Sequence, residues 1–234
     1  MGGAFLWGAV AAAPLFVGAW LATLRRWPPR LLGIVLGFGA GALISSISFE
    51  LVQEGLGLGG PVPLVAGLAV GALTYYVADR IVDARAAAAK GPSGMPLAIG
   101  ALLDGIPEQL VLGIGLASGD GVSLALVVAI LVSNLPESIG SASDLLESGM
   151  KKSRMLLLWT AVAVVCMLST VAGFAITDAV GPAFQAAVDG FAAGALLVML
   201  VDSMVPEAQS KARESTGLFT VLGFTVAAGL SFLG

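Results

Sequence analysis

The chain has 234 residues, of which 58% are hydrophobic and 11% charged, with a net charge of −4 and no histidine. A soluble domain carries about 25% charged residues, so a mean hydropathy of +0.99 leaves too little polar surface for a globule in water and makes lipid the solvent. The acidic balance and the lack of a basic patch exclude nucleic acid as a partner, and the single cysteine, Cys166, excludes an intrachain disulfide and a cysteine zinc cluster.

A helix needs about 20 apolar residues to cross a bilayer. The sequence predicts an all-α membrane protein, one domain over 1–234, of eight apolar stretches at about 4–24, 31–53, 62–82, 96–118, 121–146, 155–177, 184–208 and 215–233. No basic residue precedes the first stretch, whereas Arg25 and Arg26 follow it. That order predicts a retained span rather than a cleaved signal peptide. Pro28-Pro29, Gly59-Gly60-Pro61, Lys90-Gly91-Pro92-Ser93-Gly94, Gly119-Asp120-Gly121 and Gly181-Pro182 punctuate the stretches.

The basic residues give an independent topology. Arg25, Arg26 and Arg30, then Arg80, Arg85 and Lys90, then Lys151, Lys152 and Arg154, then Lys211 and Arg213 lie at or beside the loops after the first, third, fifth and seventh stretches. Under the positive-inside rule this predicts eight spans with both termini extracytoplasmic. The small-residue patches at 37–41, 67–71 and 190–194 predict close helix packing.

Among the acids, Asp104, Glu108 and Glu137 fall near the middle of the fourth and fifth stretches, whereas Glu50, Glu54, Asp144, Asp189, Asp202 and Glu207 lie nearer span ends. An ionised carboxylate at the bilayer centre costs at least about 2–3 kcal/mol and needs a partner. Every Lys and Arg is assigned to a span end. The three acids are therefore protonated, face a water-filled cavity or hold a cation.

Their surroundings are Asp104-Gly105-Ile106-Pro107-Glu108-Gln109 and Ser133-Asn134-Leu135-Pro136-Glu137-Ser138. Helical spacing puts Asp104 with Glu108, and Ser133 and Asn134 with Glu137, on shared faces. Each proline removes a backbone donor, which frees the carbonyls of Leu103 and Val132. Where such carbonyls line a cavity they accept water or a cation. Oxygen-rich sites suit Mg²⁺, Mn²⁺ or Ca²⁺, while zinc commonly takes nitrogen or sulfur. A proton relay and a purely architectural kink are the other readings of this pair of helices.

On these motifs the chain resembles the ZIP family of divalent-metal transporters, whose members carry His-Asn-x-Pro-Glu-Gly in one helix and a second Pro-Glu motif in the next. The resemblance implies that Asp104 stands at the first histidine position, Gly105 at the asparagine and Glu108 at the motif glutamate. Ser133, Asn134 and Glu137 take the matching positions of the second motif. The basic turn at 151–154, the stretch 191–197 and Met204-Val205-Pro206-Glu207 also resemble this family, with Asp202 and Ser203 at a His-Glu position. Both motif histidines are replaced, as are the first asparagine and the glycine after each glutamate. Cys166 falls where many prokaryotic members carry a ligand glutamate.

The resemblance implies a ZIP-like 3+2+3 arrangement with an inverted repeat, and no enzyme activity. It further implies secondary transport of a divalent cation such as Zn, Mn, Fe or Cd into the cytoplasm by alternating access. The metal ion is then the transported substrate, with no organic cofactor. The expected metal residues are Asp104, Glu108, Ser133, Asn134 and Glu137, with Cys166 as a further ligand. Asp189 would assist uptake, and Asp144, Asp202 and Glu207 release. A homodimer in a bacterial cytoplasmic membrane is the implied assembly. Two alternatives stand beside transport: a degenerate ZIP-like scaffold that binds a cation or partner without moving it, and a proton-linked small-solute carrier using Glu108 and Glu137.

Overall fold

The computed structural model describes residues 1–88, 95–118, 123–177 and 181–232; inside helices the side chains of 83, 85–88, 95–99, 101, 104, 118 and 177 are outside this description. The predicted turns at 90–94 and 119–121 lie outside the described residues. In chain order the helices are α1 (Gly2–Ala22), α2 (Pro29–Ser46), α3 (Glu54–Gly59), α4 (Pro61–Ala88), α5 (Met95–Ser118), α6 (Leu124–Glu147), α7 (Lys152–Thr177), α8 (Pro182–Met199), α9 (Val205–Ala212) and α10 (Thr216–Ser231). Two wider π-helical segments, Ile47–Gln53 and Leu200–Met204, join α2 to α3 and α8 to α9. A 3-10 turn, Arg213–Ser215, precedes α10.

The number of spans differs from the sequence expectation. Among the described residues six helices are long and apolar enough to cross a membrane: Gly2–Ala22, Pro29–Gly59, Pro61–Val82, Leu124–Glu147, Lys152–Ile176 and Pro182–Ser231. The reasons are visible at two places. Hydropathy splits 184–208 from 215–233, whereas the helical segments from Pro182 to Ser231 follow one another directly, with a break at Arg213, and form a single candidate. In the fourth stretch, the apolar run among the described side chains of α5 is Gly105–Ala117, which is not one of the six, although α5 itself runs from Met95 to Ser118. The eight-span, 3+2+3 arrangement is corrected to a helical bundle with six candidate spans. The topology with both termini extracytoplasmic rested on the larger count and goes with it.

Burial sorts the helices. In their most apolar stretches, Pro29–Gly59 and Leu124–Glu147 are each 67% buried, against 22% for Pro61–Val82 and 28% for Lys152–Ile176. So α2 and α6 form the centre and α4 and α7 the rim, where Val65, Leu73 and Leu157 stay exposed as lipid-facing residues do. The packing relies on small residues, as expected. Gly67 and Gly71 of α4 lie against the carbonyls of Ala187 and Phe191, while Gly190 and Gly194 of α8 lie against those of Leu64 and Leu68. The two predicted patches thus meet each other and bring the α4 and α8 backbones together. The third patch faces α10, with Gly41 against the Thr220 carbonyl and Gly223 against that of Phe38.

Both wide segments have local causes. Pro206 at the start of α9 supplies no N–H to the carbonyl four residues earlier, and the π-helical turn falls there. Ser48 lies in the other segment and donates its hydroxyl to the Ile44 carbonyl at 2.8 Å, a back-bond that loosens a helix.

Candidate functional site

The two proline motifs fall inside helices, Pro107 in α5 and Pro136 in α6, and these helices pack against each other. Glu108 is 1% exposed, Gln109 fully buried, Ser133 and Asn134 buried, and Glu137 half-buried. Asp104 belongs to α5, but its side chain lies outside the described residues. An apolar sequence therefore buries a band of polar side chains on its two proline-bearing helices.

The polar atoms of the band divide by partner. Ser133 donates to the Ile130 carbonyl of its own helix at 3.1 Å, so its lone pairs remain for another donor or a cation. Its Cα packs beside Gly39 of α2, close to the Met204 methyl. The Asn134 Nδ2 is buried with no acceptor among the described residues. Ser138, which follows Glu137, serves packing: its hydroxyl lies 2.7 Å from the Asn134 carbonyl and 3.1 Å from the Pro14 carbonyl of α1. Gln109 accepts from the Thr170 hydroxyl at 2.5 Å, which ties α5 to α7 beneath the motif. Nothing in the sequence signals that bond, because Thr170 is distant and Gln109 stands out only as a departure from the motif.

Cys166 is fully buried and lies beside Gly105; a Cβ on that glycine would stand 2.5 Å from Sγ. The thiol thus occupies the space a side chain at position 105 would need. Cys166 therefore lies at the first motif, where its sulfur fills the hollow beside Gly105.

The outlying acids form separate groups. Asp189 is buried on α8 beside Gly55, and the charge of Glu54 acts on it. Glu54 was not singled out as its companion, since 135 positions of sequence hide a contact made through α3. Glu207 accepts from Lys211 at 2.5 Å, one turn along α9. That pair sits over Gly140 of α6, with Nζ 3.1 Å and Oε1 3.6 Å from where a Cβ would be. Asp144, one turn further along α6, is exposed, attracted by Lys211 and repelled by Glu147 and Glu207. Asp202 is exposed on the second π-helical segment. The ten expected residues are therefore distributed over several places. No group of three or more His, Cys, Asp or Glu able to hold a metal forms among the described residues.

The comparisons with known proteins bear on this arrangement. No curated protein matches the chain. The family model described as ZIP zinc transporter matches residues 84–232, more than half of the chain, and takes in both proline motifs, Cys166 and the α8–α10 run. The chain therefore belongs to the ZIP family, a family of membrane transporters rather than of enzymes.

Proposed function

We propose that this ZIP-family protein is a divergent membrane scaffold that binds a hard divalent cation through oxygen atoms of α5 and α6 without carrying zinc across the bilayer. The observation behind this reading is that no three His, Cys, Asp or Glu side chains converge among the described residues, in a chain without histidine. Zinc sites draw on nitrogen and sulfur, whereas carboxylate, amide and hydroxyl oxygens suit Mg²⁺ or Mn²⁺. In this reading Glu108, Glu137, Asn134 and Ser133 are the ligands, with Asp104 four residues before Glu108. Cys166 is a filler of the space beside Gly105. The homodimer and the bacterial cytoplasmic membrane belong to the same reading and rest on the family alone.

Divalent-cation transport by alternating access is the second reading. The family membership and the two π-helical segments favour it, since Glu50 and Asp202 lie in those wide turns and such turns recur at functional sites. In that reading Asp189 serves uptake and Asp144, Asp202 and Glu207 serve release. One set of measurements separates the readings. The full chain is reconstituted into liposomes and tested for flux of Mg²⁺, Mn²⁺, Fe²⁺, Zn²⁺ and Cd²⁺, alongside thermal unfolding with each metal. The expected result is a higher unfolding temperature with Mn²⁺ or Mg²⁺, lost in Glu108→Gln/Glu137→Gln, and flux no greater than in empty liposomes. Metal flux abolished by the same double substitution would overturn the scaffold in favour of transport. Solute flux driven by a pH gradient without any metal would favour a proton-linked carrier.

A further inference from the structure

A cavity of about 400 Å³ opens where α2 begins and α9 gives way to α10, lined by Arg30, Lys211, Ala212, Arg213, Glu214 and Ser215. Three cations face one carboxylate there. They come from distant parts of the sequence, joined because α2 packs against both α9 and α10. The approach is close: a Cβ on Gly33 of α2 would stand 2.6 Å from both the Lys211 Cβ and the Ala212 amide.

Lys211 already has Glu207 as its counter-ion. Neither Arg30 nor Arg213 is ion-paired among the described residues, where the other bridge joins Arg26 to Glu147. With Lys211 paired to Glu207, the cavity sets two guanidinium groups against one carboxylate, Glu214. Guanidinium groups match the oxygens of a phosphate two at a time. The setting suits a lipid headgroup. Arg25 stacks on Trp27 at 4.1 Å just before α2, and tryptophan and arginine collect at membrane–water boundaries. Basic pockets between membrane helices attract anionic headgroups.

We propose that this cavity binds a phosphate group, carried either by an anionic phospholipid headgroup or as free inorganic phosphate. Arg30 and Arg213 are its principal ligands and Lys211 its third cation. The site is separate from the polar band on α5 and α6.

The test uses the full chain in an uncharged detergent. Native mass spectrometry measures retention of phosphatidylglycerol and phosphatidylcholine, and titration calorimetry measures inorganic phosphate. Arg30→Gln/Arg213→Gln is expected to weaken phosphate-group binding by about tenfold or more, the scale of charge-assisted hydrogen bonds. Arg80→Gln/Arg154→Gln removes the same charge from residues that do not line the cavity and is expected to leave binding within about twofold, because charges beyond a Debye length are screened. Arg213→Gly keeps the test independent of folding. Arg213 has φ +52°, the one non-glycine residue with positive φ among the described residues, and glycine accepts that conformation freely. Weaker binding with an unchanged or raised unfolding temperature is the expected result. Phosphatidylglycerol bound without free phosphate identifies the headgroup; comparable binding of both identifies phosphate itself, and either supports the site. Equal retention of phosphatidylglycerol and phosphatidylcholine without phosphate binding, no binding at all, or equal losses in the two double variants would overturn it.

Discussion

At the residue scale, the bond from Thr170 to Gln109 couples α7 to α5 inside the bundle, with both residues buried. Thr170→Val keeps the shape and removes the donor. It is expected to destabilise the protein by about 1–3 kcal/mol, the cost of stranding a buried polar group, measured by thermal unfolding in detergent. Glycines allow a sharper comparison. A Cβ on Gly41 would meet the Thr220 backbone carbonyl, whereas one on Gly57 meets nothing within 4 Å. Gly41→Ala is expected to cost about 1–3 kcal/mol through overpacking, and Gly57→Ala to gain up to about 1 kcal/mol from helix propensity. Equal effects in the same unfolding assay would contradict the packing described. The motif residues were legible in the sequence because proline and carboxylate in an apolar helix are conspicuous. Thr170 was not, because a threonine alone gives no sign of which distant side chain it meets.

At the scale of elements, the small-residue patches at 67–71 and 190–194 were readable as packing surfaces, and they pack on one another. Their pairing was not readable, since spacing identifies a face and says nothing of its partner. The π-helical turn at Leu200–Met204 lies where Pro206 withholds a donor. Pro206→Ala restores that N–H. It is expected to tighten the turn and slow amide exchange across 200–206 by about fivefold, the factor carried by a hydrogen bond worth about 1 kcal/mol. Hydrogen-exchange mass spectrometry reads this directly, and unchanged exchange would assign the wide turn to tertiary packing instead. The Lys211–Glu207 pair needed both levels. Its spacing on one helix was in the sequence, but its seat over Gly140 of α6 depends on how α9 meets the bundle.

At the scale of the whole molecule, a chain without three converging metal-binding side chains among the described residues should not depend on tightly held zinc. Adding a strong zinc-selective chelator to the purified protein is expected to leave its unfolding temperature unchanged. A bound metal at one hundred times its dissociation constant would contribute about 2.7 kcal/mol, so a chelator-induced drop of several degrees would contradict this. Composition by itself determined that the protein is helical and embedded in lipid, because so few polar residues exclude any other solvent. The two Pro-Glu motifs pointed to the ZIP family, and the match over 84–232 bears that out. Tertiary structure decided the rest. Among the described residues it reduced the eight expected spans to six candidates, since hydropathy counts apolar stretches and not the helical runs they fall in. It also set Cys166 beside Gly105 and gathered Arg30, Lys211 and Arg213 around one cavity. Those contacts join residues far apart along the chain, and only the packing of one helix on another fixes which of them meet.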